Sequence, residues 1–102
     1  MALYAVKTLE FDPSTSPDVT GYEIYYCPVA EALSYDSPSV DVGLNTILEI
    51  PTDIPEFEAL DGDYKLAAVA YDDWGNRSDF GVVTEVPFDF VAPVAPGEVI
   101  IS

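Results

Sequence analysis

The stretch "YKLAAVAYDDWGN", residues 64 to 76, decides how the rest of this chain is read. Side chains on a strand alternate between its two faces, so Tyr64, Leu66, Ala68 and Ala70 share one side and Lys65, Ala67, Val69 and Tyr71 the other. The run then meets Asp72, Asp73, Gly75 and Asn76, residue types that bond their own backbone or accept a positive φ in a tight turn. The strand is therefore expected over 64–72, with "DWGN" as its turn. The next apolar run, "FGVVTEVPF" over 80–88, is its expected hairpin partner. A long strand that turns directly into another strand argues for an all-β chain.

Working outward, the same pattern recurs. "YEIYYCPV" (22–29) reads as a strand ended by Pro28, and "NTILEIP" (45–51) as another. "LYAVKTLEF" (3–11) reads as the first strand, followed by the turn "DPSTSPDVTG", where Pro13 and Pro17 cannot donate to a ladder. Residues 30–43 are open between one helical turn at "AEALSYD" and a connecting loop with a short edge strand. Residues 52–63 read as a long crossing loop. Nine prolines and six glycines are scattered through the chain. Short alternating runs between turn signals give a β-sandwich of about seven strands.

Two passages carry a resemblance. "FDPSTSPDVTGYEIYY" resembles the strand B to strand C passage of bacterial fibronectin type III domains, and "LDGDYKLAAVAYDDWGNRSD" the E–F corner, strand F and F–G turn of that family. The resemblance spans about residues 5 to 87. Phe11 stands where the family usually has a buried Trp. Leu60, Gly62 and Tyr64 match its tyrosine corner, in which a Tyr hydroxyl satisfies the preceding loop. Lys7, where an apolar residue is usual, and residues 30–43 depart from the pattern. The resemblance implies an immunoglobulin-like sandwich over residues 1–90 with strands C and F as neighbours. It also implies a strand A before strand B, for which the chain leaves almost no room.

The closing "FVAPVAPGEVIIS" (90–102) has the form of the missing piece: a Pro-containing lead and a β-prone run, Val99, Ile100 and Ile101. Three readings stand open. The run opens a following domain, it is a long final strand, or it fills the vacant strand A position of its own domain or of a neighbouring copy. Edge addition of this kind draws affinity from main-chain hydrogen bonds and specificity from alternate side chains.

Composition restricts function further. Nineteen Asp and Glu against only Lys7, Lys65 and Arg77 give a formal charge of -16, which repels phosphate backbones and anionic lipid surfaces. Nucleic acid and membrane insertion are accordingly not expected. Self-association is expected to need screening salt. The N-terminus lacks the basic start, long apolar run and small-residue cleavage site of a signal peptide. Cytoplasmic synthesis, release by lysis or on a virion, and prior processing toward an extracellular surface are the localisations left open. With no histidine, the Ser–His and Cys–His nucleophile pairs and the usual neutral-pH base are missing, and no glycine-rich phosphate loop is present. No enzymatic activity is expected. Cys27 has no partner for a disulfide. Calcium is the one cofactor to weigh, with Asp72, Asp73, Asn76 and Asp79 at one turn and Asp12 and Asp18 near the other, although turn chemistry accounts for the same residues.

Strand C repeats the alternation of strand F: Tyr22, Ile24 and Tyr26 inward, Glu23, Tyr25 and Cys27 outward. With C and F adjacent, Tyr25, Cys27, Ala67, Val69 and Tyr71 are expected to form an apolar patch on the outer face, where a solvated sheet would alternate. Tyrosine favours an interface there. Trp74 at the turn tip is a candidate contact anchor. The expectation is a non-catalytic structural or docking subunit that assembles with copies of itself or within a larger complex, such as a virion decoration protein or a head-to-tail filament. The competing class is a carbohydrate-binding module using Trp74 and surface tyrosines as a stacking platform.

Overall fold

The computed structural model describes residues 7–89 and 96–101. It is all-β, with six strands among the described residues: β1 Lys7–Glu10, β2 Gly21–Pro28, β3 Ser39–Gly43, β4 Ile47–Ile50, β5 Asp61–Tyr71 and β6 Thr84–Asp89. A 3-10 helix, Pro55–Ala59, interrupts the crossing loop before β5. The strands form two antiparallel sheets, one of β1 and β4 and one in the order β3-β2-β5-β6.

The core lies between these sheets. Tyr22 and Ile24 of β2 and Leu66 and Ala70 of β5 face Leu48 and Ile50 of β4, as the inward alternation requires. Ile54 and Phe57 are both fully buried in the same cluster. Phe57 packs edge-on against Tyr26 and tilted against Phe88, with ring centroids 5.0 and 5.1 Å away. Pro55 begins the 3-10 helix that presents Phe57, because its fixed φ suits a first helical turn.

Strand directions define two ends. β1 runs toward the end that carries the 12–20 loop and the 72–76 turn, where Phe11 meets Tyr22 edge-on at 5.1 Å and the Ser14 N–H donates to the Tyr22 hydroxyl at 2.9 Å. β5 runs toward the same end and β6, antiparallel to it, runs away. β6 therefore leaves the sandwich at the far end, where β1 begins.

Several expectations are corrected. β5 starts at Asp61 rather than Tyr64, with Leu60 capping the 3-10 helix and Gly62, at φ 103°, already paired with Phe88. Tyr64 thus sits inside the strand, its ring edge-on to Phe88 at 5.6 Å, and no hydrogen bond links its hydroxyl to the preceding loop among the described residues. The partner strand begins at Thr84 rather than Phe80. Upstream of it the chain still follows β5, with Gly81 N–H bonded to Ala68 O and Ser78 N–H to Ala70 O. At the 72–76 turn only Gly75 takes a positive φ. The open 30–43 region resolves into turns followed by β3. Residues 96–101 form no strand. The first-strand residues 3–6, the Pro93 lead and the 90/91 boundary lie outside the described residues.

Candidate functional site

The outer face of the four-stranded sheet carries the residues of the expected patch. It is covered. Tyr25, Cys27 and Ala67 are buried and Val69 is 0% exposed, so the expected open patch is corrected to a second, smaller core. Two segments that carry no periodicity supply the cover. The turn region after β2 brings Tyr35, and the 77–83 segment brings Phe80. These rings stack on each other at 4.9 Å and meet Tyr25 edge-on at 6.0 and 5.4 Å. The Tyr35 hydroxyl donates to Ser78 O at 2.8 Å, which ties the two segments together. Glu31 O accepts from Lys65 Nζ at 2.8 Å and from the Cys27 thiol at 3.6 Å, pinning the first segment onto the face. Cys27 is buried and its thiol donates to a carbonyl.

Tyr71, the last member of the expected patch, is only partly buried and has a structural task. Its hydroxyl donates to both carboxylate oxygens of Asp41, at 3.0 and 2.8 Å, tying β5 to β3 across the end of β2. This bond, with Asp41's charge, holds the phenol above its ordinary pKa. A side chain at Gly21 would overlap the tyrosine's hydroxyl end, which explains a glycine at the start of β2.

At the turn end, Asp72 and Asn76, two of the candidate calcium residues, bond each other. Asp72 accepts from the Trp74 and Asn76 N–H groups at 2.9 and 3.0 Å and from the Asn76 side-chain amide at 3.1 Å. Among the described residues no group of three or more acidic side chains is placed to hold a metal ion. The Asn76 side-chain bond, joined by the backbone N–H donors, holds the Asp72 carboxyl below its ordinary pKa. A depressed folded-state pKa contributes stability above the ordinary carboxylate value and loses it as the pH falls through the folded value. Substituting Asp72→Asn is therefore expected to flatten the acid limb of stability in the range below the ordinary carboxylate value. Urea midpoints across that range, compared with the unaltered chain, check it. Trp74 at the tip is 91% exposed.

The flank of the sandwich is where apolar surface stays open. β1 pairs only with β4, and among the described residues nothing pairs with its other edge. Between that edge and β6 lies an apolar groove of about 440 Å³, floored by Leu9, Ile24, Leu66, Val86 and Phe88. It continues toward the turn end past Phe11, Ala68 and Val82 as a second hollow of about 390 Å³. Leu9, Phe11 and Val86 are only half-buried, and among the described residues no further strand lies over them on this side. Sequence reasoning pointed to a vacant strand position but not to the residues lining it. Their signal was the inward alternation of β1 and β6, visible once the strand order is known.

The tail residues Val99, Ile100 and Ile101 are 90%, 78% and 95% exposed. Such consecutive exposure of β-branched apolar side chains is unusual for a solvated segment. Compared with protein-family models, with curated proteins and with solved structures, the chain matches none of them.

Proposed function

We propose that this chain is a non-catalytic interaction domain, a building block of a larger protein assembly, whose open flank is completed by a β-strand from a protein partner. The carrying observation is the edge of β1 that no described residue pairs, beside an apolar groove that runs along the sandwich. Backbone groups on such an edge and alternating pockets beneath it suit strand addition. The fibronectin type III kind of sandwich is part of the same reading. It is supported by the neighbouring β2 and β5 and by the pairing of β1 with β4, while Tyr64 departs from the family's corner. In that family the vacant position belongs to strand A.

The acidic charge fits a partner that is a protein rather than a nucleic acid. A virion surface or a filament remains the setting this reading suits, by analogy of fold alone. Carbohydrate binding is the second reading, favoured by the exposed Trp74 indole.

The test is an NMR titration of the full chain with an unrelated soluble peptide of alternating valine and threonine. Shifts concentrated in the amides of Lys7 to Glu10 and of β6 are expected. Shifts confined to Trp74 on adding oligosaccharides, with no peptide response, would overturn the proposal in favour of sugar binding.

A further inference from the structure

The groove and the tail have complementary chemistry, and strand direction decides how they can meet. We infer that the strand completing the open flank is residues 97–101 of a second copy of this chain, donated head to tail. This rests on the reading of the flank as a strand-accepting site.

A strand pairing antiparallel with β1 must enter the groove at the turn end and run toward the far end, in the same sense as β6. The chain's own tail leaves β6 at the far end. To enter its own groove in that sense it must reverse twice, and each reversal takes about four residues. Only six residues separate Asp89 from Pro96. A second copy has no such difficulty: its tail leaves at its far end and enters the next copy's turn end without reversing. The described tail agrees, since residues 96–101 lie exposed and unpaired. The molecule's longest dimension is 69 Å, against roughly 36 Å for the eleven-residue β5 at about 3.3 Å per residue.

Side-chain alternation then fixes the register. Val99 and Ile101 share one face of the tail and enter the groove, while Glu98 and Ile100 face water. The opposite choice would bury the Glu98 carboxylate against an apolar floor without a partner, which is costly. Glu98 is the only charge between Pro96 and Ile101, so the donor segment adds little to the repulsion between two strongly acidic molecules. Screening salt favours the contact.

Sedimentation velocity of the full chain at about 0.3 M salt, where charges more than roughly 6 Å apart are screened, tests the inference. The unaltered chain is expected to grow beyond monomer with concentration. Val99→Asp with Ile101→Asp is expected to weaken association at least about a hundredfold, two buried apolar side chains being lost. Ile100→Asp should stay within about threefold of the unaltered chain, as surface changes usually do. Val86→Arg blocks the groove. Mixed with the doubly substituted tail variant, it should form a one-to-one dimer and nothing larger, since each partner supplies what the other lacks. Should Val86→Arg fail to fold, Val82→Asp, at an exposed position on the groove rim, takes its place. Equal weakening by Ile100→Asp, or no mixed dimer, would overturn the inference. A chain that stays monomeric while the valine–threonine peptide still shifts the β1 amides would overturn the tail as donor and leave the strand-accepting flank standing. Monomer without peptide response would overturn both.

Discussion

Replacing Phe57 by Ala is expected to lower stability by about 3–5 kcal/mol, enough to unfold a large share of the molecules near physiological temperature. The ring is completely buried, held between Tyr26 and Phe88, and closes the gap between the sheets at the far end. One of these sheets has two strands among the described residues. There is little redundant packing to collapse into the space, so the cavity cost adds to the lost transfer energy. Urea unfolding followed by far-UV circular dichroism measures it. A midpoint change equivalent to less than about 1 kcal/mol would mean the site relaxes around the loss and that Phe57 does not hold the layers together.

Val69→Asp is expected to be comparably damaging, and it separates two views of the outer face. Val69 is 0% exposed and lies opposite Glu23 in the β2–β5 register. A new carboxylate there is covered by the chain's own segments and faces a second carboxylate across the strands. Like charges directly opposite are destabilising. Arg77, the cation beside Glu23, is already engaged with it at 2.7 Å, and Lys65 donates to Glu31 O. An unpaired buried charge costs several kcal/mol or neutralises by shifting its pKa. The variant is therefore expected to be unfolded or strongly destabilised as an isolated chain, partly recovering at low pH as the new carboxyl protonates. A variant with unchanged melting temperature that lost only a binding partner would restore the outer face as an interface.

Most of the strands were legible without tertiary information. Period-two alternation in "YEIYYCPV" and "YKLAAVAYD" correctly placed Tyr22, Ile24, Leu66 and Ala70 toward the core, because the pleat itself enforces that geometry. Element ends were less legible. Gly62 marks the positive φ early in β5, yet "LDGD" reads as loop by composition, and pairing with β6 overrides that preference. The 3-10 helix escaped notice because five residues are too few to show a helical period.

The candidate site divides the same way. The apolar outer face was visible in the sequence, but its burial was not. Tyr35 and Phe80 come from segments without periodicity, and only their meeting over Tyr25 shows that they are a lid of the chain's own making. Asp72 was correctly suspected of turn chemistry, since its partners are local in sequence. The groove could be suspected only as a missing strand.

By itself the sequence determined what short-range chemistry controls: strands, their inward faces, the turn residues and the strong negative charge. The tertiary structure alone decided which apolar surfaces remain open. Burial depends on which distant segments come to lie over a face, and nothing in a strand's own alternation records what covers it. That is why Val69 proved internal while Val99, Ile100 and Ile101 stand exposed.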